Sequence, residues 1–540
     1  VSDSQTIQLP VSPGPTPATP EPSGALATVW AAVLGEQPEP GSNFFASGGT
    51  SLGAARLVAG IRRHCEVGLK LVDVLEHPTF GELLALITRS GAAQVAAADT
   101  WTLPTGTAPV LSPNQRSRLV RDAGNVRELG RRLPHTVAVT WIADGPLDVP
   151  RLFDAARAVG SRHAALSLRV SGPDGVWGGD GAPECRVIDL PGLAVDDDRV
   201  RREVDDHAGG LIDLHDGPIW SVQVLRLSAV SHVISIAVDH LVCDGDSLPV
   251  LQRDLTEAYE TREALPALPH SYFDWVAWQK KLIADSDLDE VRERIGAAPD
   301  AGTVVPGLRL RDESQAAGAP AVGVVEQRIP AGVVAGLERL CRESGCPPMH
   351  AALLGLAAAL EGQRSPGRLG VLVPFANRDH PMSAGLIGWM ANLVPLSFEP
   401  EADGSFAANL ALVSRSLRTA AGDAHMGLGY LMERAREESI PLDGTDLTLY
   451  FDYREESVEH FRLGGATLRE YHGEVEYGLR NRLSVWVTRL LDGSLEYRMA
   501  HELPRVPADR AKALLATVAA LLTEAAEQPT ASLRSLATPR

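Results

Sequence analysis

Along residues 24–35, Leu26, Val29, Trp30, Val33 and Leu34 recur on a 3.6-residue period, which predicts an amphipathic helix. A second helix is predicted over 51–64, where Leu52, Ala55, Val58 and Ile61 share a face. A third apolar cluster, 71–89, starts with a short turn and ends as a helix after Pro78. These segments predict a helical domain over 23–90, near the small end of what folds unaided. The pattern then lapses over 90–110 and returns in another form. Runs rich in β-branched residues at 136–143, 220–227, 232–240, 370–376 and 483–490 read as strands, with helices such as 333–344 between them. Residues 111–528 therefore form a mixed α and β domain, large enough to split into two lobes, about 111–275 and 276–528. Residues 9–22 hold prolines spaced by small residues, so 1–22 reads as an extended linker; 91–110 and 529–540 are read as linkers too.

Composition changes this picture little. The 540-residue chain is 44% hydrophobic and 22% charged, an ordinary globular balance. A net charge of −19 and no concentrated basic stripe argue against a nucleic-acid partner. The longest nearly unbroken apolar run, 349–360, is far shorter than a membrane span, and no secretory signal is visible. Five cysteines, sparse and odd in number, suit a reducing compartment. Cys341, Cys346 and His350 have no accompanying pair of ligands, so no metal is expected there. The expectation is a monomeric cytoplasmic protein without a membrane or nucleic-acid partner.

Two stretches carry candidate chemistry. In NFFASGGTSL (43–52), Gly48 and Gly49 permit a tight turn into a helix that Ser51 can cap. With VWAAVLG before it and LEHPTFGEL after it, this stretch resembles the peptidyl carrier proteins of nonribosomal peptide synthetases, over roughly 23–90. The resemblance implies a small four-helix domain with a 4′-phosphopantetheine arm on Ser51, installed by a phosphopantetheinyl transferase. The arm holds an aminoacyl or peptidyl group as a thioester. The family usually has leucine before the glycines, where this chain has Ser47.

The second stretch is AVDHLVCDGDS (237–247). Successive strand residues face opposite ways, so Asp239 and His240 cannot both hold one ion, and a metal site with Asp244 is poor geometry. His240 falls at the strand end. A turn follows, then a helix over 247–259 capped by Asp246 or Ser247. Asp244 in that turn is either an anchor or a reacting group.

The larger domain resembles the condensation domains of the same synthetases, through DHLVCDG (239–245), LSPNQRSRL (111–119), SRHAAL (161–166), DLHDGPIW (213–220), YFDWVAWQ (272–279) and LIGWMANLVPL (386–396). The resemblance implies two chloramphenicol-acetyltransferase-like lobes forming a V. It further implies a tunnel between donor and acceptor carriers, and amide formation with an amine on a downstream carrier. An adenylation or other synthetase domain would stand upstream. His240 maps onto the central histidine of the signature. Asp244 maps onto the structural carboxylate, pairing with an arginine such as Arg378. Gly245 lets the turn close near the substrate, and Asn392, Ser247 and Arg378 line the tunnel.

Asp239 departs from the pattern, standing where the family has its first histidine. Two rivals follow. Heterocyclisation domains carry Asp-x-x-x-x-Asp, which Asp239 and Asp244 satisfy, with a serine at the place of Ser247. A condensation-like domain without chemistry would instead serve as a docking platform. One histidine can nevertheless suffice. An α-amine with a pKa near 8 is roughly a tenth neutral at pH 7, and tethering supplies much of the proximity.

Overall fold

The computed structural model describes residues 22–97, 105–284, 321–361, 369–437, 449–471 and 483–536, apart from short internal gaps of up to four residues. The chain divides near residue 99 into two compact units.

The first unit contains helices α1 (Pro22–Leu34), α2 (Ser51–Cys65), α3 (Leu71–Glu76) and α4 (Phe80–Ala97). The periodic residues Leu26, Val29 and Trp30 are buried in its core, as are Val58 and Ile61. The side chains of Leu52 and Ala55 lie outside the described set. Trp30 is the hub, meeting Phe44 and Phe80 edge to face at centroid distances of 5.4 and 5.8 Å. Thr79 and Glu82 form a reciprocal capping pair at the start of α4, which explains why the helix resumes just after Pro78. The Thr79 hydroxyl and backbone hydrogen bonds hold the Glu82 carboxyl below its ordinary range.

The second unit contains two six-stranded sheets. The first has strands β1 (Thr136–Asp144), β4 (Glu184–Asp189), β5 (Trp220–Arg226), β6 (Ser231–Asp239), β11 (Phe461–Leu463) and β12 (Ala466–Glu470), in the order β11-β12-β1-β6-β5-β4. A two-stranded ribbon, β2 (Leu168–Val170) and β3 (Val176–Gly178), lies between β1 and β4 in the chain. The second sheet has β7 (Ala321–Ile329), β8 (Leu369–Phe375), β9 (Asn392–Phe398), β10 (Leu449–Glu455), β13 (Leu483–Arg489) and β14 (Leu495–Leu503), in the order β7-β14-β13-β10-β8-β9. Each sheet is mixed, with β4–β5 parallel in the first and β13–β10–β8 parallel in the second. Helices cover the apolar faces; Pro348–Glu361, for example, is buried along most of its length in the second core.

All five expected strands are present. Two boundaries need correction. Strands β11 and β12 come from 461–470 yet pair onto β1, so the first lobe is not built from 111–275 alone. Residues 529–536 are no linker: Leu533 and Leu536 are buried in the second core, and Ser532 bridges Ser405. Small and charged residues there hid two leucines that the second core needed.

Candidate active site

The expected catalytic turn lies at the end of β6, the central strand of the first sheet. Antiparallel pairing puts Thr136 opposite Asp239, and the ladder continues one residue further, with His240 N donating to His135 O at 2.7 Å. Asp239 and His240 therefore point apart, as strand alternation requires.

Asp239 turns inward. Its carboxylate receives both Nη atoms of Arg118, with Nη2–Oδ2 at 3.0 Å, and Oδ1 also accepts Leu241 N at 2.8 Å. Arg118 sits on the helix Pro113–Leu129 and holds Asp122 as well, Nε to Oδ2 at 3.2 Å. Burial disfavours its charge, yet the two carboxylates raise its pKa above the ordinary range. The same helix supplies Gln115, whose Nε2 donates to Leu241 O at 2.6 Å. Ser112 and Gln115 form the capping box that starts this helix, so LSPNQRSRL is a brace for the strand end.

Asp244 is buried and fully engaged. Oδ1 accepts Ser247 N (2.9 Å), Ser247 Oγ (2.7 Å) and Arg378 Nη2 (2.7 Å). Oδ2 accepts Met390 N (2.9 Å) and Ala391 N (3.0 Å). Burial works against the ionised form, but Arg378, Ser247 and Met390 N–H outweigh it and hold the carboxyl below its ordinary range. The expected Asp244–Arg378 pair is thus present. The expected cap is not: Asp244 caps the short 3₁₀ turn Gly245–Ser247, and Ser247 precedes the helix Leu248–Thr261 without a side-chain cap bond.

Ser247, Arg378 and Asn392, the residues expected to line a tunnel, each have hydrogen-bond partners within the protein. Arg378 Nη1 donates to Ser383 O and Leu386 O, both at 2.9 Å. Ser247 Oγ accepts Gly388 N at 3.1 Å. Asn392 is buried, accepting Asn114 Nδ2 at 2.7 Å and donating to Ala424 O at 2.8 Å. Side chains that could have faced a ligand were taken up by neighbouring backbone groups, because buried polar atoms need partners.

His240 is left partly buried. Its Nδ1 is buried and without a hydrogen-bond partner, so Nε2 is the nitrogen through which it can act. The ring touches those of His135 and Trp389, at centroid distances of 4.2 and 4.7 Å. Burial pushes its pKa down to about 4; Arg118 adds to this, while its own backbone carbonyl and the two carboxylates oppose it. The imidazole is neutral at pH 7. A Cβ at Gly245 would meet nothing within 4 Å, so the fold does not demand glycine there. Gly245→Ala should therefore leave the thermal midpoint within about 2 °C, a surface-like effect; a clear drop in amide formation would mark that open space as substrate volume.

The other motif residues prove structural. His163 Nδ1 accepts Ile387 N (3.3 Å), which puts the proton on Nε2, and that nitrogen bonds Asp254 Oδ2 at 2.7 Å. Tyr272 donates to Trp389 O at 3.0 Å and so fixes the tryptophan that touches His240. Asp274 accepts Ser271 N and Thr107 N. Sequence reading missed Arg118, His135 and Trp389. Arg118 and Trp389 stood inside recognised motifs, whereas His135 had no signal of its own.

On the carrier unit, Ser51 stands at the start of α2; its side chain, on which the expected cap depends, lies outside the described residues. The loop before it is tightly specified. Gly48 has φ +93°, and a Cβ at Gly49 would lie 2.3 Å from the Phe44 ring. Asn43 Oδ1 accepts Phe45 N and Ala46 N, each at 3.0 Å. The loop that leads into the start of α2 is thus fixed by its own residues.

Comparison with known proteins accounts for both units. The condensation-domain family matches residues 135–540, and the phosphopantetheine attachment site family matches 24–87. The chain belongs to the condensation-domain family, the amide-bond-forming acyltransferases of nonribosomal peptide synthetases. Its carrier domain is of the type that takes 4′-phosphopantetheine on serine, at Ser51 in this chain. It is 30% identical over 436 residues to phosphinothricin tripeptide synthetase PhsB of Streptomyces viridochromogenes, a match covering 74% of this chain and 34% of that protein. It is 27% identical over 392 residues to bacitracin synthase 3 of Bacillus licheniformis, covering 71% of this chain and 6% of that protein. The chain thus spans about a third or less of the length of these relatives. Among solved structures it resembles the X-domain from teicoplanin biosynthesis (TM-score 0.66, 21% identity, 80% of this chain and 98% of that one). It also resembles the first condensation domain of the calcium-dependent antibiotic synthetase (TM-score 0.62, 20% identity, 80% and 99%). These establish the fold, with two chloramphenicol-acetyltransferase-like lobes. Among the described residues no helix is long and apolar enough to cross a membrane, and no cluster of three metal-ligating side chains occurs.

Proposed function

We propose that this chain joins an acyl or peptidyl group, carried on its own carrier domain, to an amine presented by a downstream carrier. When bound to Ser51, the phosphopantetheine arm supplies a thiol that holds the acyl group as an activated ester. His240 does the site's proton work. Its neutral imidazole accepts a hydrogen bond from the attacking amine at Nε2 and takes the proton that the nitrogen sheds as the C–N bond forms. That proton then goes to the departing thiolate. Asp244, Arg378 and Ser247 hold the turn and the 386–391 segment in place.

The observation that carries this reading is the division of labour around the turn. Asp239 and Asp244 are each held by an arginine, so of these three signature residues His240 is the one with an uncommitted side chain. This disfavours ring formation through Asp239 and Asp244, since both carboxylates are already engaged by arginines. An upstream adenylation or other synthetase domain would load the carrier after a phosphopantetheinyl transferase has modified it. Cytoplasmic action as a monomer suits five free thiols.

Intact-protein mass spectrometry tests the proposal. A phosphopantetheinyl transferase should add one arm to the chain and none to Ser51→Ala. The loaded chain, mixed with a carrier-bound amine, should pass its acyl group on as an amide. No transfer, with His240→Ala matching the parent, would mean a docking platform. A product lighter by one water would mean heterocyclisation.

A further inference from the structure

The sequence neighbour that should flank His240 has left the site: Asp239 faces the opposite way and is neutralised by Arg118. Its place is taken from another strand. His135 stands just before β1 and is joined to His240 through the backbone bond that extends the β1–β6 ladder. The two imidazole centroids are 4.2 Å apart with planes inclined at 44°. Trp389 closes a triangle of rings, 4.7 Å from His240 and 5.8 Å from His135.

Unmet hydrogen-bonding capacity makes the contact more than packing. His135 Nδ1, like His240 Nδ1, is sealed from solvent and has no partner. A buried unpaired nitrogen costs stability, on the order of 1–3 kcal/mol, and a phenylalanine would fill the same space without that cost. Two such nitrogens on touching rings mark a site whose polar atoms are completed only during turnover.

We propose that His135 is the second imidazole of the condensation site, a positioning residue that orients His240 while that ring takes the proton from the acceptor amine. This rests on the functional reading above. The balance is simple: the amine nitrogen loses one proton as it bonds the acyl carbon, His240 Nε2 gains it, and the thiolate leaving group recovers it. His135 changes no bond. Its ring lies against the imidazolium that forms, and its nitrogens are placed to orient the ring through which the proton passes. The charged or titratable groups around His240 are Asp239 from its own strand, Asp244 from the turn, Arg118 from the bracing helix and His135 from the β1 side. Trp389, on the 386–391 segment, adds no charge.

The test compares parent, His135→Phe and His135→Gln chains, each checked by thermal melting. Phe keeps a ring and removes both nitrogens; Gln keeps hydrogen-bonding capacity and decides the matter if Phe does not fold. The expected result is a fall in kcat of about tenfold or more, below the range for a full acid–base group, with the acceptor KM within about twofold. A second readout does not need turnover. In a histidine ¹³C NMR titration, His240 and His135 of the parent should titrate as a coupled pair, and His240 of either variant as a single group with a displaced midpoint. A parent-like kcat in the folded variants, or a His240 titration unchanged by them, overturns the proposal. A parent that forms no amide while its imidazoles remain coupled overturns the functional reading and leaves the imidazole pair standing.

Discussion

His240→Ala should lower the rate of amide formation by about 100-fold, at the lower end of what one general acid–base group contributes, with the donor still loaded on Ser51. Nδ1 has no hydrogen-bond partner and no other residue among those described bonds the ring, so its removal orphans none of them, and the structural penalty is lost ring packing against His135 and Trp389. Residual activity comes from the activated thioester and from holding both reactants together. The pH profile carries a sharper form of the same expectation. Because burial holds the His240 pKa at about 4, the imidazole stays neutral throughout the working range. The acid limb of the parent's rate should therefore follow the acceptor amine, near 8, and not an ordinary histidine near 6.5. Stability moves the other way from a histidine that gains a partner. The unfolded chain takes up the proton first as pH falls below about 6.5, so His240 costs the fold nothing above that pH and erodes it toward pH 4. A single-turnover rate in His240→Ala within about threefold of the parent, or a rate limb centred on 6.5, would show that the imidazole has no part in the chemistry.

How much of this was legible in the sequence follows from how local each feature is. Helix periodicity, the helix that follows Pro78 and the alternation that separates Asp239 from His240 are decided within a few residues, and these stand as read. The Asp244–Arg378 pair spans 134 positions, and the motif order pointed to it. The fate of Asp239 could not be read in the same way. It is set by Arg118, 121 residues upstream, and a carboxylate without a visible partner looks like a candidate for chemistry. His135 was hidden for a related reason. It becomes a neighbour of His240 only once the register of β1 on β6 is fixed, and no residue of PHTVAV declares that register. For the residues expected along a tunnel, polarity alone does not separate a side chain that awaits a ligand from one that completes the packing around it. Asn392 and Ser247 are of the second kind.

The largest effect on stability should come from Arg378→Met. Asp244 is 1% exposed in its side chain and Arg378 11%, so removing the guanidinium leaves a buried carboxylate facing only neutral donors. Breaking such a pair from one side costs about 3–5 kcal/mol. The larger unit's denaturation midpoint should fall accordingly, and adding Asp244→Asn should restore part of it by removing the stranded charge. The pH dependence fixes the sign. Asp244 has a lowered native pKa, so its contribution is present above the ordinary carboxylate range and is lost as pH falls through the lower native value. Parent and Arg378→Met should thus differ fully at pH 7 and converge at strongly acid pH. Activity should fall with stability, because Asp244 binds Met390 N and Ala391 N and thereby keeps Trp389 beside His240. A loss below about 1 kcal/mol at pH 7, or a difference that widens in acid, would mean that the fold does not depend on this ion pair and that the turn is held by its backbone alone.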